Sequence, residues 1–171
     1  MGHFLITLEN FPFSIWVRES SSIWAFPTFL VVHTIGMSIV AGLSAMTSLA
    51  LLGFWPNKMP IKPLEKLYPL IWFGFWVNLV TGSVLLVADA TTKMTNWDFY
   101  LKMFFVIAGV WLLTKTRKVV FGDPALDEKP VSSEAKRLAW MSLGCWFCAI
   151  TAGRLLAYLG PVSGLIGVDN K

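Results

Sequence analysis

Histidine and cysteine are scarce in this chain of 171 residues, which has two of each. His3 lies at the start, so His33 is the only imidazole in the body of the chain, and bis-histidine ligation within one chain would have to draw on that N-terminal segment. Cys145 and Cys148 form a C-x-x-C but have no second pair of ligands. They lie inside an apolar run, away from a helix N-terminus that would lower a thiol pKa, and read as packing residues rather than a redox or zinc site. Charge is sparse as well, at 14% of residues with a net +4. The positive residues fall in two loops and no DNA-binding motif is present, so no nucleic-acid partner is expected. The N-terminus lacks the basic region and small-residue cleavage site of a secretory signal, so it is expected to stay on the mature protein.

Apolar sequence is what the chain has in abundance. It is 56% hydrophobic with a mean hydropathy of +0.64, more than a soluble core absorbs, and it reads as one integral membrane domain over 1–171. Lipid offers no partner for backbone N–H and C=O groups, so only helices and closed barrels span it. The apolar runs here are unbroken rather than alternating, which selects helices. The expected architecture is all-α, a polytopic four-helix bundle running up and down, with spans at about 23–54, 64–89, 98–116 and 133–160. Residues 1–21 mix Phe11, Phe13 and Trp16 with Glu9, Arg18 and Glu19, and are expected to lie along the interface. Ser20, Ser21 and Ser22 are candidate caps for the first span, with Pro27 bending its entry; Ser132 or Ser133 opens the fourth. Gly36, Ser38, Ala41, Gly42 and Ala45 offer small-residue surfaces for close helix contact. A shift of seventy positions aligns Gly74 with Gly144, Trp76 with Trp146 and Thr81 with Thr151, a faint internal repeat.

Lysine and arginine crowd the loops between helices 1 and 2 and between helices 3 and 4. The positive-inside rule therefore puts both termini on the outer face. A helical rise of about 1.5 Å per residue places His33 ~15 Å deep from that face, and Lys102 and Arg154 ~7–9 Å deep. Asp89 and Tyr158 lie shallower, and Asn78 near mid-span. An imidazole in a run with no other ionisable group is a functional-site candidate, because the bilayer has no water to satisfy it.

Haem b standing in the outer half of the bundle accounts for this layout. His33 supplies neutral imidazole to the iron, and Lys102 and Arg154 stand above it where the propionates need cations. Asn78 and Tyr158 complete the candidate cofactor contacts. His33 and Met37 are one turn apart on one face and cannot clamp an iron from opposite sides, so the second axial position falls to Met103, Lys102, a neighbouring subunit or nothing. Structural roles stand beside these: His33 bonded to Asn78, Thr81 or a carbonyl, Lys102 snorkelling, Arg154 paired with Asp89, Asn78 joining two helices.

The segments LVVHTIGMSIVAGLSAM, LYPLIWFGFWVNLVTGSVLL, FYLKMFF and ITAGRLLAYLG together resemble a family of uncharacterised bacterial four-helix inner-membrane proteins. The histidine of helix 1, the LYP opening helix 2 and the Trp97-to-Lys102 spacing of helix 3 are more distantly similar to HemJ-type proteins and to CopD-like copper-resistance proteins. HemJ-type proteins are four-helix proteins that bind haem b and oxidise protoporphyrinogen, using a helix 1 histidine and a helix 3 lysine. The resemblance thus implies those places for His33 and Lys102. Helix 4, with Gly153, Arg154 and Tyr158, departs from the HemJ pattern.

The expectation is a haem b-binding protein of the bacterial inner membrane, multi-pass with both termini periplasmic, taking part in electron transfer or redox chemistry. Its partners are the lipid bilayer and either a second copy or a larger redox complex. Two rival classes remain: a small transporter or copper-handling protein using His33, Met37 and Met103, and a haem-free assembly subunit.

Overall fold

The computed structural model describes residues 2–54, 60–124 and 126–158, with the side chains of 2–4 and 156–158 outside the description. Those residues form seven α-helices and no strand: α1 (Gly2–Glu9), α2 (Pro12–Glu19), α3 (Phe26–Leu51), α4 (Tyr68–Val87), α5 (Ala90–Thr95), α6 (Trp97–Thr116) and α7 (Ser133–Tyr158). A 3-10 turn, Lys62–Leu67, leads into α4, and a π-helical segment, Arg117–Phe121, extends α6. Four stretches are long and apolar enough to cross a membrane: Phe26–Leu51, Lys62–Val87, Trp97–Phe121 and Ser133–Leu155. The fold is a multi-pass four-helix bundle, as the unbroken apolar runs imply.

Local chemistry sets the boundaries. Pro27 falls in the first turn of α3, where its missing N–H is no loss, so it starts the helix instead of bending it. The serines upstream build turns, with Ser22 N–H donating to Ser20 Oγ (3.2 Å) and Trp24 N–H to Ser22 Oγ (3.3 Å). The α3 N-cap is Ala25, without a side-chain bond. At the other end Gly53 adopts φ +88°. Phe54 N–H reaches Leu49 O at 3.0 Å and Gly53 N–H reaches Ala50 O at 3.1 Å, the Schellman pattern that stops a helix at a left-handed glycine. Ser132 Oγ accepts from Ala135 N–H at 3.1 Å and caps α7.

Packing is tight at one end of the bundle and open at the other. Leu51, Tyr68, Leu113, Phe121 and Ala139 belong to one buried cluster near the α3–α4 and α6–α7 connections. Those connections are tied together: the Asp127 carboxylate accepts from Ile61 N–H (2.6 Å), and Arg117 meets Glu65 at 3.6 Å. Farther along, α3 crosses α4 where Gly36 faces Gly74. A Cβ on Gly36 would stand 3.0 Å from Gly74 O, and one on Gly74 would stand 2.8 Å from Ile39 Cγ2. Lipid supplies no hydrophobic drive between helices, so such close small-residue contacts carry the association. The proposed repeat does not extend to environment: Gly74 is packed while Gly144 has nothing within 4 Å of a built Cβ, and Trp76 is exposed while Trp146 is buried.

The opposite end is roofed by the N-terminal segment. Glu9 accepts from both the N–H and the hydroxyl of Thr91 at 2.6 Å, capping α5 from α1, and Arg18 Nη1 donates to Ala88 O at 3.3 Å. On α2, Ser14 and Val17 are buried while Phe13 and Trp16 are exposed, the division an interfacial helix requires. The short connection between the second and third spans contains α5.

Candidate functional site

Beneath that roof lies a cavity of about 1250 Å³. It exceeds the roughly 300–1,000 Å³ of ordinary small-molecule pockets. Its α3 wall is a stripe at helical spacing, from Phe26 through His33 and Met37 to Ala45, and its opposite wall is α7. The exit of α4, the α5 segment and the start of α6 close the remaining side. Phe26, Leu30, Trp140 and Phe147 line it yet remain exposed, so the cleft opens sideways between α3 and α7.

His33 is the best-defined member of the site. Its Nδ1 lies 3.0 Å from Thr81 Oγ1. Thr81 donates its own proton back along α4 to Val77 O at 2.7 Å, which leaves its hydroxyl oxygen as an acceptor toward the imidazole. With that oxygen as acceptor, the contact favours the tautomer with its proton on Nδ1. This is the tautomer a metal-ligating histidine adopts when its other nitrogen is held by a hydrogen bond. The ring also lies against Gly82, where any Cβ would come within 2.9 Å of His33 Cε1. Thr81 and Gly82 thus hold the imidazole by a bond on one side and a missing side chain on the other.

The cations converge on the same cavity. Lys102, Arg154 and Lys93 line it, with Asp89 as the carboxylate beside them. The Lys102 stem runs along α7, its Cε 3.5 Å from where a Cβ on Gly153 would stand, and among the described residues it makes no hydrogen bond or ion pair. Lys93 donates to Leu85 O at 2.6 Å, taking up one of the free carbonyls at the end of α4. Burial pushes the Lys93 ammonium below the ordinary lysine value of 10.5, against the opposing pull of Asp89. Arg154 is exposed, and among the described residues it forms no ion pair with Asp89. Asn78 lies outside the lining and joins α4 to α3, its Nδ2 donating to Met37 Sδ at 3.7 Å while its Oδ1 is buried without a partner among the described residues. Met103 also lies outside the lining, turned from the cleft by the helical step that separates it from Lys102. The Tyr158 side chain is outside the described residues. Cys145 donates to Phe105 O on α6 at 3.0 Å, and both cysteines are free thiols.

Lys93 and Gly82 are the site residues the sequence reading missed. A glycine in a helix interior costs roughly 1 kcal/mol against alanine, so Gly82 carried a signal of close approach. Lys93 lies in the short connection between two spans, where a lysine carries no signal of burial.

The cavity is large and mostly apolar, His33 lines it, and cations gather at one end. Among the described residues no group of three or more His, Cys, Asp or Glu could hold a bare metal ion. No family model, curated protein or solved structure matches the chain.

Proposed function

We propose that this protein binds haem b through His33 Nε2 and takes part in electron transfer or redox chemistry in the bacterial inner membrane. The observation that supports the reading is the contact chain Val77 O, Thr81 hydroxyl, His33 Nδ1 beside a cavity bordered by cations, which favours a neutral imidazole whose Nε2 would serve as the ligand. When bound, the haem supplies reversible one-electron chemistry at its iron. Thr81 would favour the proton on Nδ1, Gly82 gives the ring its place, and Lys93, Lys102 and Arg154 would balance the propionate charge. Met37 shares the face of His33 and would not oppose it across a bound ring. The lysines and arginines at the Asp127 end orient that end to the cytoplasm, so the site and both termini are periplasmic.

Haem titration of the purified full-length protein tests the reading. Stoichiometric binding that His33→Ala abolishes is expected, and equal binding by both proteins overturns it. Arg154→Leu is expected to loosen haem while Arg154→Lys retains it; if both retain haem like the parent, Arg154 does not hold a propionate.

A further inference from the structure

Charge in the cleft is confined to one end, and the apolar length below it matches the depth of one leaflet. Lys93 donates to Leu85 O at 2.6 Å, and Leu85 lies three residues, ~4.5 Å, along α4 from Gly82, against which His33 rests. In the opposite direction Ala45, the deepest α3 residue of the lining, stands twelve residues, ~18 Å, past His33. The cations are thus ~22 Å from the far end, and one leaflet with its headgroups measures about 20–22 Å.

Positive charge is in excess at that end. Lys93, Lys102 and Arg154 line the cleft, and Asp89 is the one carboxylate among the lining residues. Lys93 uses one of its three ammonium donors on Leu85 O. Lys102 is half-buried and makes no hydrogen bond or ion pair among the described residues. Its stem lies along α7, with Cε 3.5 Å from a Cβ built on Gly153, next in sequence to Arg154. An ammonium held away from water without a partner is costly, and an anionic oxygen supplies the partner.

Access is lateral. The charged end is covered by the Glu9–Thr91 and Arg18–Ala88 bonds, and the far end is closed by the buried cluster around Leu51 and Tyr68. The cleft opens between α3 and α7 beside the exposed Trp140 and Phe147, both within the fourth span, so it opens to acyl chains rather than to water. Such a gap fills with chain, because a void leaves its lining without contact atoms. An anion that enters this way carries an apolar tail.

We propose that the cleft holds one anionic phospholipid from the leaflet on the roofed side, its phosphate on Lys102, Lys93 and Arg154 and one acyl chain along the α3 stripe from Met37 to Ala45. The proposal does not rest on the haem reading. Both ligands draw on the same cations, so the lipid is the occupant of the haem-free cleft. A choline lipid also carries a phosphate, but its quaternary ammonium brings like charge toward three cations and is disfavoured.

Native mass spectrometry of the haem-free, detergent-purified full-length protein, titrated with dioleoylphosphatidylglycerol and in parallel with dioleoylphosphatidylcholine, tests this. The parent is expected to retain one phosphatidylglycerol at least tenfold more tightly than phosphatidylcholine, and excess inorganic phosphate is expected not to displace it. Lys102→Met is expected to lose the preference and Lys102→Arg to keep it, while Lys136→Met, at the opposite end of α7, matches the parent. Ala45→Phe shortens the chain groove and is expected to weaken retention at least threefold. Equal retention of the two lipids by the parent overturns the proposal, and displacement by inorganic phosphate overturns it in favour of a free anion. A preference that survives Lys102→Met, or is lost in Lys102→Arg as well, overturns the phosphate contact; one that falls in Lys136→Met overturns its location. Unaltered retention by Ala45→Phe overturns the path of the chain. Haem binding is read in a separate titration, so its failure leaves each of these outcomes intact.

Discussion

Thr81→Val removes one hydroxyl and almost no volume, and it separates the histidine tautomer from everything else in the site. In the parent, His33 Nδ1 lies 3.0 Å from Thr81 Oγ1, and that oxygen donates to Val77 O at 2.7 Å, which favours Nδ1–H as the donor. Valine removes the side-chain partner that favours Nδ1–H, and the tautomer with its proton on Nε2, which has no lone pair there, gains population. Loss of a hydrogen bond to a metal-bound histidine typically costs 10–100-fold in affinity, or about 1.4–2.7 kcal/mol. The fold loses less, because an interhelical hydrogen bond in a membrane averages about 0.6 kcal/mol. Haem transfer to an apoglobin acceptor, followed by loss of the Soret band, measures the first quantity, and thermal unfolding in detergent measures the second. Haem loss accelerated tenfold or more with little change in stability is expected, and Thr81→Ser is expected to restore retention. A valine variant that holds haem like the parent would refute the role assigned to Thr81.

Gly82→Ala places a Cβ 2.9 Å from His33 Cε1 and should displace the imidazole, weakening haem binding while circular dichroism stays helical; an unshifted spectrum would show that the ring has room. Gly74→Ala meets Ile39 Cγ2 at 2.8 Å and Gly36 O at 3.1 Å, and is expected to cost about 1–3 kcal/mol in thermal unfolding, whereas Gly144→Ala, with open space around it, should cost nothing. Glu9→Ala removes the acceptor for both Thr91 donors and should cost about 0.5–2 kcal/mol, the usual range for a lost helix cap, with faster proteolysis of the N-terminal segment as a second readout. Lys93 has a pKa below 10.5 in the fold, so the unfolded chain binds its proton more readily between the two values. Stability of the haem-free parent should therefore rise as pH approaches 10.5, and Lys93→Met should flatten that rise; parallel pH profiles would contradict the burial assigned to this ammonium.

Run length made the four spans legible, because lipid tolerates only a backbone that satisfies itself. Their ends were less so: Pro27 reads as a bend or as a start until its position in the first turn is known, and Gly53 became the stop of α3 through its positive φ. The stripe of Phe26, His33, Met37 and Ala45 follows from helical spacing alone. What it faces depends on the close approach at Gly36 and Gly74, which sets Thr81 and Gly82 against the imidazole. Lys102 and Met103 show the same dependence. They are neighbours in sequence, and helix rotation puts one in the cleft lining and leaves the other out. The pairing of α7 with α3 likewise made Gly144 a wall of the cleft rather than a counterpart of Gly74.

The visible spectrum of the full-length protein, purified after expression with ample haem and recorded oxidised and then reduced, tests the central claim most directly. A Soret band that shifts on reduction, with His33→Ala lacking the band altogether, is the predicted result. A colourless parent, or an unchanged band in His33→Ala, would contradict the account.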